Sequence, residues 1–66
     1  MRLYEAAAFV IFEAEDGYTG AKFIVHPEHI FAETESDAEK MFVIHWANTL
    51  GEYRIEEVTI LVRPFA

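Results

Sequence analysis

The chain has 66 residues and no cysteine, so it holds one domain at most, and disulfides and thiolate metal sites are excluded. It is 53% hydrophobic yet carries a formal charge of −7, which sets it apart from disordered acidic tails and from ordinary nucleic-acid binders, whose lysines and arginines neutralise phosphates. No apolar run approaches the roughly 18 residues of a membrane span, and Glu13, Glu15 and Asp16 stand where a signal peptide would place small residues, so the chain reads as cytoplasmic.

The first element reads as a strand. Tyr4, Ala6, Ala8, Val10, Phe12 and Ala14 occupy one face of a period-2 pattern, and Leu3, Glu5, Ala7, Phe9, Ile11, Glu13 and Glu15 the other. The alanines and glutamates would also suit a helix. The following Asp16-Gly17-Tyr18-Thr19-Gly20 decides for the strand, because it reads as a hairpin loop. A second extended segment follows over residues 22–34. Pro27 has no N–H for a ladder and marks that segment as an edge strand or a bulge.

Ser36-Asp37-Ala38-Glu39 has the spacing of a capping box and predicts a helix over residues 37–50, with Gly51 as the residue that ends it. Ala38, Phe42, Trp46 and Leu50 form its apolar stripe, while Met41 and Ile44 lie off it. Trp46 belongs to the core on this reading. The final segment, residues 53–65, is β-branched and aromatic and reads as the third strand. Strand, strand, helix, strand, with a right-handed crossover, predicts an α+β fold: a three-stranded antiparallel sheet of order 2-1-3 under one helix. The sheet face away from the helix then carries Leu3, Phe9, Ile11, Ile24 and Leu61 among Glu5, Glu13 and Thr59. So much apolar surface points to a contact with another chain.

The chemistry-bearing residues make no catalytic set. His26-Pro27-Glu28-His29 and His45 lack any metal-ligand spacing and read as surface or edge-strand histidines. Ser36 is taken as a cap, and the three glycines are too scattered for a phosphate loop. The expectation is a protein with no enzymatic activity, cofactor or metal. An acidic domain is steered towards basic surfaces, which often belong to nucleic-acid-binding machines. Arg63, alone among apolar residues near the end of the last strand, is a candidate contact for an acidic group.

Ile30-Phe31-Ala32-Glu33-Thr34, followed by Asp37-Ala38, and then Val62-Arg63-Pro64 near the end of the chain, resemble the family of the phage T-seven gene 2 protein. These are small phage inhibitors of bacterial RNA polymerase, and the likeness spans residues 22–66. The resemblance implies the same strand-strand-helix-strand fold. It also implies binding to the jaw of the polymerase β′ subunit in the downstream DNA channel, contact with the primary sigma factor, and a block of open-complex formation. In that family two arginines of the last strand carry the jaw contact; Arg63 matches one, and Leu61 stands at the other. Glu33 and Asp37 match its acidic strip, while Lys40 and Val43 replace acids. The resemblance thus names RNA polymerase as partner, without direct contact to nucleic acid or membrane. The alternative is an acidic interaction module or homodimer that uses the open sheet face.

Overall fold

The hairpin is set at its tip. Asp16 Oδ1 accepts from the Tyr18 N–H at 3.0 Å, the Ala14 N–H donates to the Tyr18 carbonyl at 2.7 Å, and Gly17 adopts φ 85°, where a Cβ is strained. In the computed structural model, which describes residues 1–65, this turn joins β1 (Arg2–Glu13) to β2 (Thr19–Ala32). Thr19 and Gly20, expected in the loop, already belong to β2. The chain continues through α1 (Glu35–His45), α2 (Ala47–Leu50) and a 3-10 turn (Ile55–Glu57) into β3 (Val58–Pro64). The strands form one sheet of order β2-β1-β3, with β1 antiparallel to both neighbours, as the sequence predicts.

The two long strands run past β3. The last β1–β3 pair is Val10 with Val58, whereas β1 and β2 stay paired out to Glu13 and Thr19. A two-stranded arm therefore projects from the sheet, which contributes to the 45 Å length of a domain only 15 Å thick. On this arm Phe12 lies over Gly20, where an added Cβ would come within 2.7 Å of the ring.

Pro27 sits at an irregularity, as its missing N–H requires. Ala6 pairs with Glu28 and Ala8 with Val25, so His26 and Pro27 together face Ala7. A second shift follows, because Phe9 pairs with Phe23 and leaves Ile24 over. These two shifts reverse the alternation twice, with consequences for the open face described below.

The helix starts two residues before the expected one. Thr34, not Ser36, is the N-cap: its hydroxyl accepts from the Asp37 N–H at 3.1 Å, and Ser36 lies within the first turn. Both residues precede an acid by three, so spacing alone did not separate them. The helix is also broken where one run to residue 50 was expected. Trp46 leaves helical geometry at φ −104° and ψ 17°, and α2 resumes after it. Its indole Nε1 donates to Glu28 Oε1 of β2 at 2.8 Å, a tether that accompanies the break. Gly51 follows α2 in right-handed geometry, at φ −68°, rather than in the left-handed form a terminating glycine usually takes. The last strand starts at Val58 rather than at residue 53, since residues 55–57 form the 3-10 turn.

The core lies between the sheet and α1. Ala6, Ala8, Val25 and Phe42 form one buried cluster; Tyr4, Ala32 and Ala38 form a second nearer the start of the helix. The small side chains of β1 let the helix approach closely, and Phe42 fills the space as the one large side chain among the described residues that is fully buried. Trp46, Leu50, Val58, Ile60 and Val62 close the rim. No helix among the described residues is long and apolar enough to cross a membrane.

Candidate protein-binding face

The register puts Leu3, Glu5, Ala7, Phe9, Ile11 and Glu13 of β1 on the sheet face away from α1, together with Thr59, Leu61 and Arg63 of β3. Ile24 does not join them. It packs against the core cluster with Val25, because the shift beside it turns it from the open face. Phe23 takes its place there, edge-on to Phe9 with ring centroids 6.1 Å apart. Phe31, paired with Leu3, adds an aromatic ring that is 61% exposed.

Arg63 is not a free cation. Its Nε and Nη2 donate to the same carboxylate oxygen of Glu5, at 2.9 and 2.7 Å. Cross-strand pairing brings the two residues opposite each other. The Glu5 side chain is 20% exposed and that of Arg63 64%, so the pair presents a guanidinium edge to solvent over a mostly covered carboxylate. Among the described residues Nη1 has no hydrogen-bond partner. Glu5 was legible as a residue of this face, but not as the partner of Arg63: the two are 58 positions apart and meet only through the register. His29 flanks the pair from β2 and packs against Phe65 with the rings tilted by 47° and centroids 4.1 Å apart.

The expected contact residues therefore divide. Phe9, Leu61 and Arg63 share the middle and one end of the open face. Ile11 lies on the projecting arm and is 62% exposed. Glu33 and Asp37 lie off the sheet, exposed at the junction of β2 with α1, beside Glu35 and Glu39. That junction is at the same end of the sheet as Arg63, since Ala32 pairs with Arg2 and Arg63 with Glu5.

Two of the open clefts beside the helix adjoin the sheet. One, of about 420 Å³, lies along β2 and contains Glu28, His29 and His45; the Glu28 carboxylate there is already engaged by Trp46. The other, of about 280 Å³, is lined by apolar residues that include Leu50, Tyr53, Ile55 and Ile60. The three histidines are all exposed, and among the described residues no group of three His, Asp or Glu side chains converges on a common point. Neither cleft pairs a nucleophile with a base. What the surface offers instead is a flat, aromatic-edged sheet face with one ion pair, which suits contact with another macromolecule. Comparison of the chain with family models, with curated proteins and with solved structures returns no match.

Proposed function

We propose that this chain is a phage-encoded, non-catalytic inhibitor of a bacterial RNA polymerase, acting by protein–protein contact at the β′ jaw in the downstream DNA channel. The observation that supports it concerns where the residues of the resemblance lie. Ile30, Ala32, Ala38 and Val62 belong to or pack against the cluster around Tyr4. They hold together the end of β2, the start of α1 and the end of β3. Glu33, Asp37 and Arg63 are the exposed charged residues of the resemblance carried by those same three places. The resemblance is thus spatially continuous, with a packed interior and a charged exterior. A charge of −7 steers such a domain towards a channel that is basic because it holds DNA. Arg63 supplies the directed contact that steering lacks.

The test is promoter-dependent transcription with purified polymerase. Inhibition that depends on adding the protein before the open complex forms supports the proposal; binding to no bacterial polymerase overturns it. A second reading, an interaction module of unrelated function, is favoured by the exposed Phe23, Phe31, Leu61 and Phe65 around the open face. Binding and inhibition unaffected by Arg63→Ala, Glu33→Lys and Asp37→Lys, but lost with Ile11→Lys, would place the contact on the hairpin-arm end of the open face rather than at Arg63.

A further inference from the structure

The two outer edges of the sheet are built differently. The edge of β2 carries Lys22 and Pro27 and is interrupted by two register shifts. These are the devices by which natural sheets refuse further strands. β3 has no register shift and no lysine, and its only proline, Pro64, is its last residue. Its pairing with β1 is unbroken from Val58 to Pro64, and Val58-Thr59-Ile60-Leu61-Val62 is an uncharged run, β-branched at every position but Leu61, in a chain that is otherwise strongly acidic. Among the described residues no strand pairs with its outer edge.

The direction of each backbone group follows from one hydrogen bond. The Phe65 N–H donates to the Leu3 carbonyl at 2.9 Å, which makes Leu3 and Phe65 a hydrogen-bonded pair in the β1–β3 register. Alternation then directs the N–H and C=O groups of Thr59, Leu61 and Arg63 to β1, and those of Val58, Ile60 and Val62 outward. Pro64, which has no N–H, falls on the outward set, where it leaves no donor missing from the ladder. The Val58 N–H is taken by the Ile55 carbonyl. The N–H groups of Ile60 and Val62 remain as donors, and the carbonyls of Val58, Ile60 and Val62 as acceptors.

We propose that this edge pairs with the same edge of a second copy, antiparallel across a two-fold axis at Ile60, to make a continuous six-stranded sheet. In this register the Ile60 N–H groups bond to each other's carbonyls, and each Val62 N–H bonds to the carbonyl of the partner's Val58. The Val58 N–H stays with the Ile55 carbonyl, so each Val62–Val58 pair makes one ladder bond rather than two. The same register brings Arg63 to the partner's Glu57, the last residue of the 3-10 turn that enters β3, twice by symmetry. Glu57 is exposed and has no ion-pair partner among the described residues, and Arg63 retains Nη1 beyond its contact with Glu5. Shifting the pairing by two residues keeps the same number of backbone bonds but sets Arg63 opposite Thr59, so charge selects the first register. This self-complementarity is what an isologous contact requires, and it singles out a second copy as the occupant.

Sedimentation across a wide concentration range, with amide hydrogen exchange at both ends of it, tests the proposal. The protein should self-associate, and the Ile60 and Val62 amides should gain protection as concentration rises. The Thr59, Leu61 and Arg63 amides, bonded to β1, should be protected throughout. Glu57→Lys should weaken association by about tenfold or more, because two opposite-charge pairs become like-charge pairs. That loss would occur although the substitution lowers the net negative charge. Glu13→Lys makes the same charge change on the hairpin arm and should weaken nothing. A protein that stays monomeric at millimolar concentration overturns the proposal. So do Ile60 and Val62 amides indifferent to concentration, or equal effects of the two lysine variants.

Discussion

Glu5 shares a carboxylate oxygen with two donors of Arg63, so any acidic group on a target meets an arginine that is already neutralised on one side. If Arg63 anchors the polymerase contact, Glu5→Gln should strengthen binding and Arg63→Ala should destroy it. The magnitudes differ in origin. The intramolecular pair is largely open to solvent on the arginine side, and such pairs contribute up to about 1 kcal/mol. Releasing Arg63 from it therefore raises affinity by at most about fivefold. The same limit predicts that Glu5→Gln changes folding stability by less than about 1 kcal/mol. Removing the arginine from a buried interfacial pair instead loses about 2–5 kcal/mol, at least about thirtyfold in affinity. Equilibrium titration of a labelled chain with polymerase, repeated for both variants, reads these numbers directly. A Glu5→Gln protein that binds as poorly as Arg63→Ala would refute the reasoning, because Glu5 would then be holding the guanidinium in its binding pose rather than competing for it. Unchanged binding by Arg63→Ala would remove the anchor altogether.

Other substitutions separate folding from surface effects. Phe42→Ala should destabilise by about 3–5 kcal/mol in a denaturant titration, since it empties the centre of the helix–sheet interface. Thr34→Ala should lose about 1 kcal/mol and Ser36→Ala less than about 0.5 kcal/mol, a contrast that would reverse if Ser36 were the cap. Trp46→Phe should lose about 1.5 kcal/mol or more with the bond to Glu28, measured by thermal or chemical unfolding. Ile11→Lys should leave the unfolding midpoint nearly unchanged, because the side chain is already exposed; a large loss of stability would mean that the arm packs more tightly than its exposure shows.

The architecture was legible because independent signals agreed. The alternation of residues 3–13, the Asp16-Gly17 turn, the helical stripe through Ala38 and Phe42 and the alternation of Val58, Ile60 and Val62 all demand the same sheet and helix. What was not legible depended on contacts distant in sequence. Pro27 announced an irregularity in β2 but not its extent, and a second shift at Ile24 reversed the face of that residue and of Phe23. The break at Trp46 accompanies an indole bond to a strand 18 residues away, which no helical periodicity contains. The choice of Thr34 over Ser36 lay between equally spaced caps. The ion pair of Arg63 with Glu5 needed the full register of two strands that are the first and last in the chain.

The thinness of the domain links these observations to function. One helix on one face leaves nothing within the described residues to cover the other. Among the described residues the interior holds two large side chains that are buried, Phe42 and Tyr4, among the alanines of β1. The remaining large apolar residues stay at the rim or outside it, with Phe23, Phe31 and Phe65 around the open face. Apolar area that the fold cannot cover itself can still be removed from water by a partner. The helix face and the open face thus divide the two tasks. Alanines and Phe42 hold the chain folded, and the rings around Glu5 and Arg63 remain available for association. Substitutions on the first face should be read in unfolding curves and those on the second in binding isotherms. A residue that moved both equally, such as Leu61, would mark where the two tasks meet: it is 44% exposed on the open face and lies in β3, whose neighbouring side chains close the core.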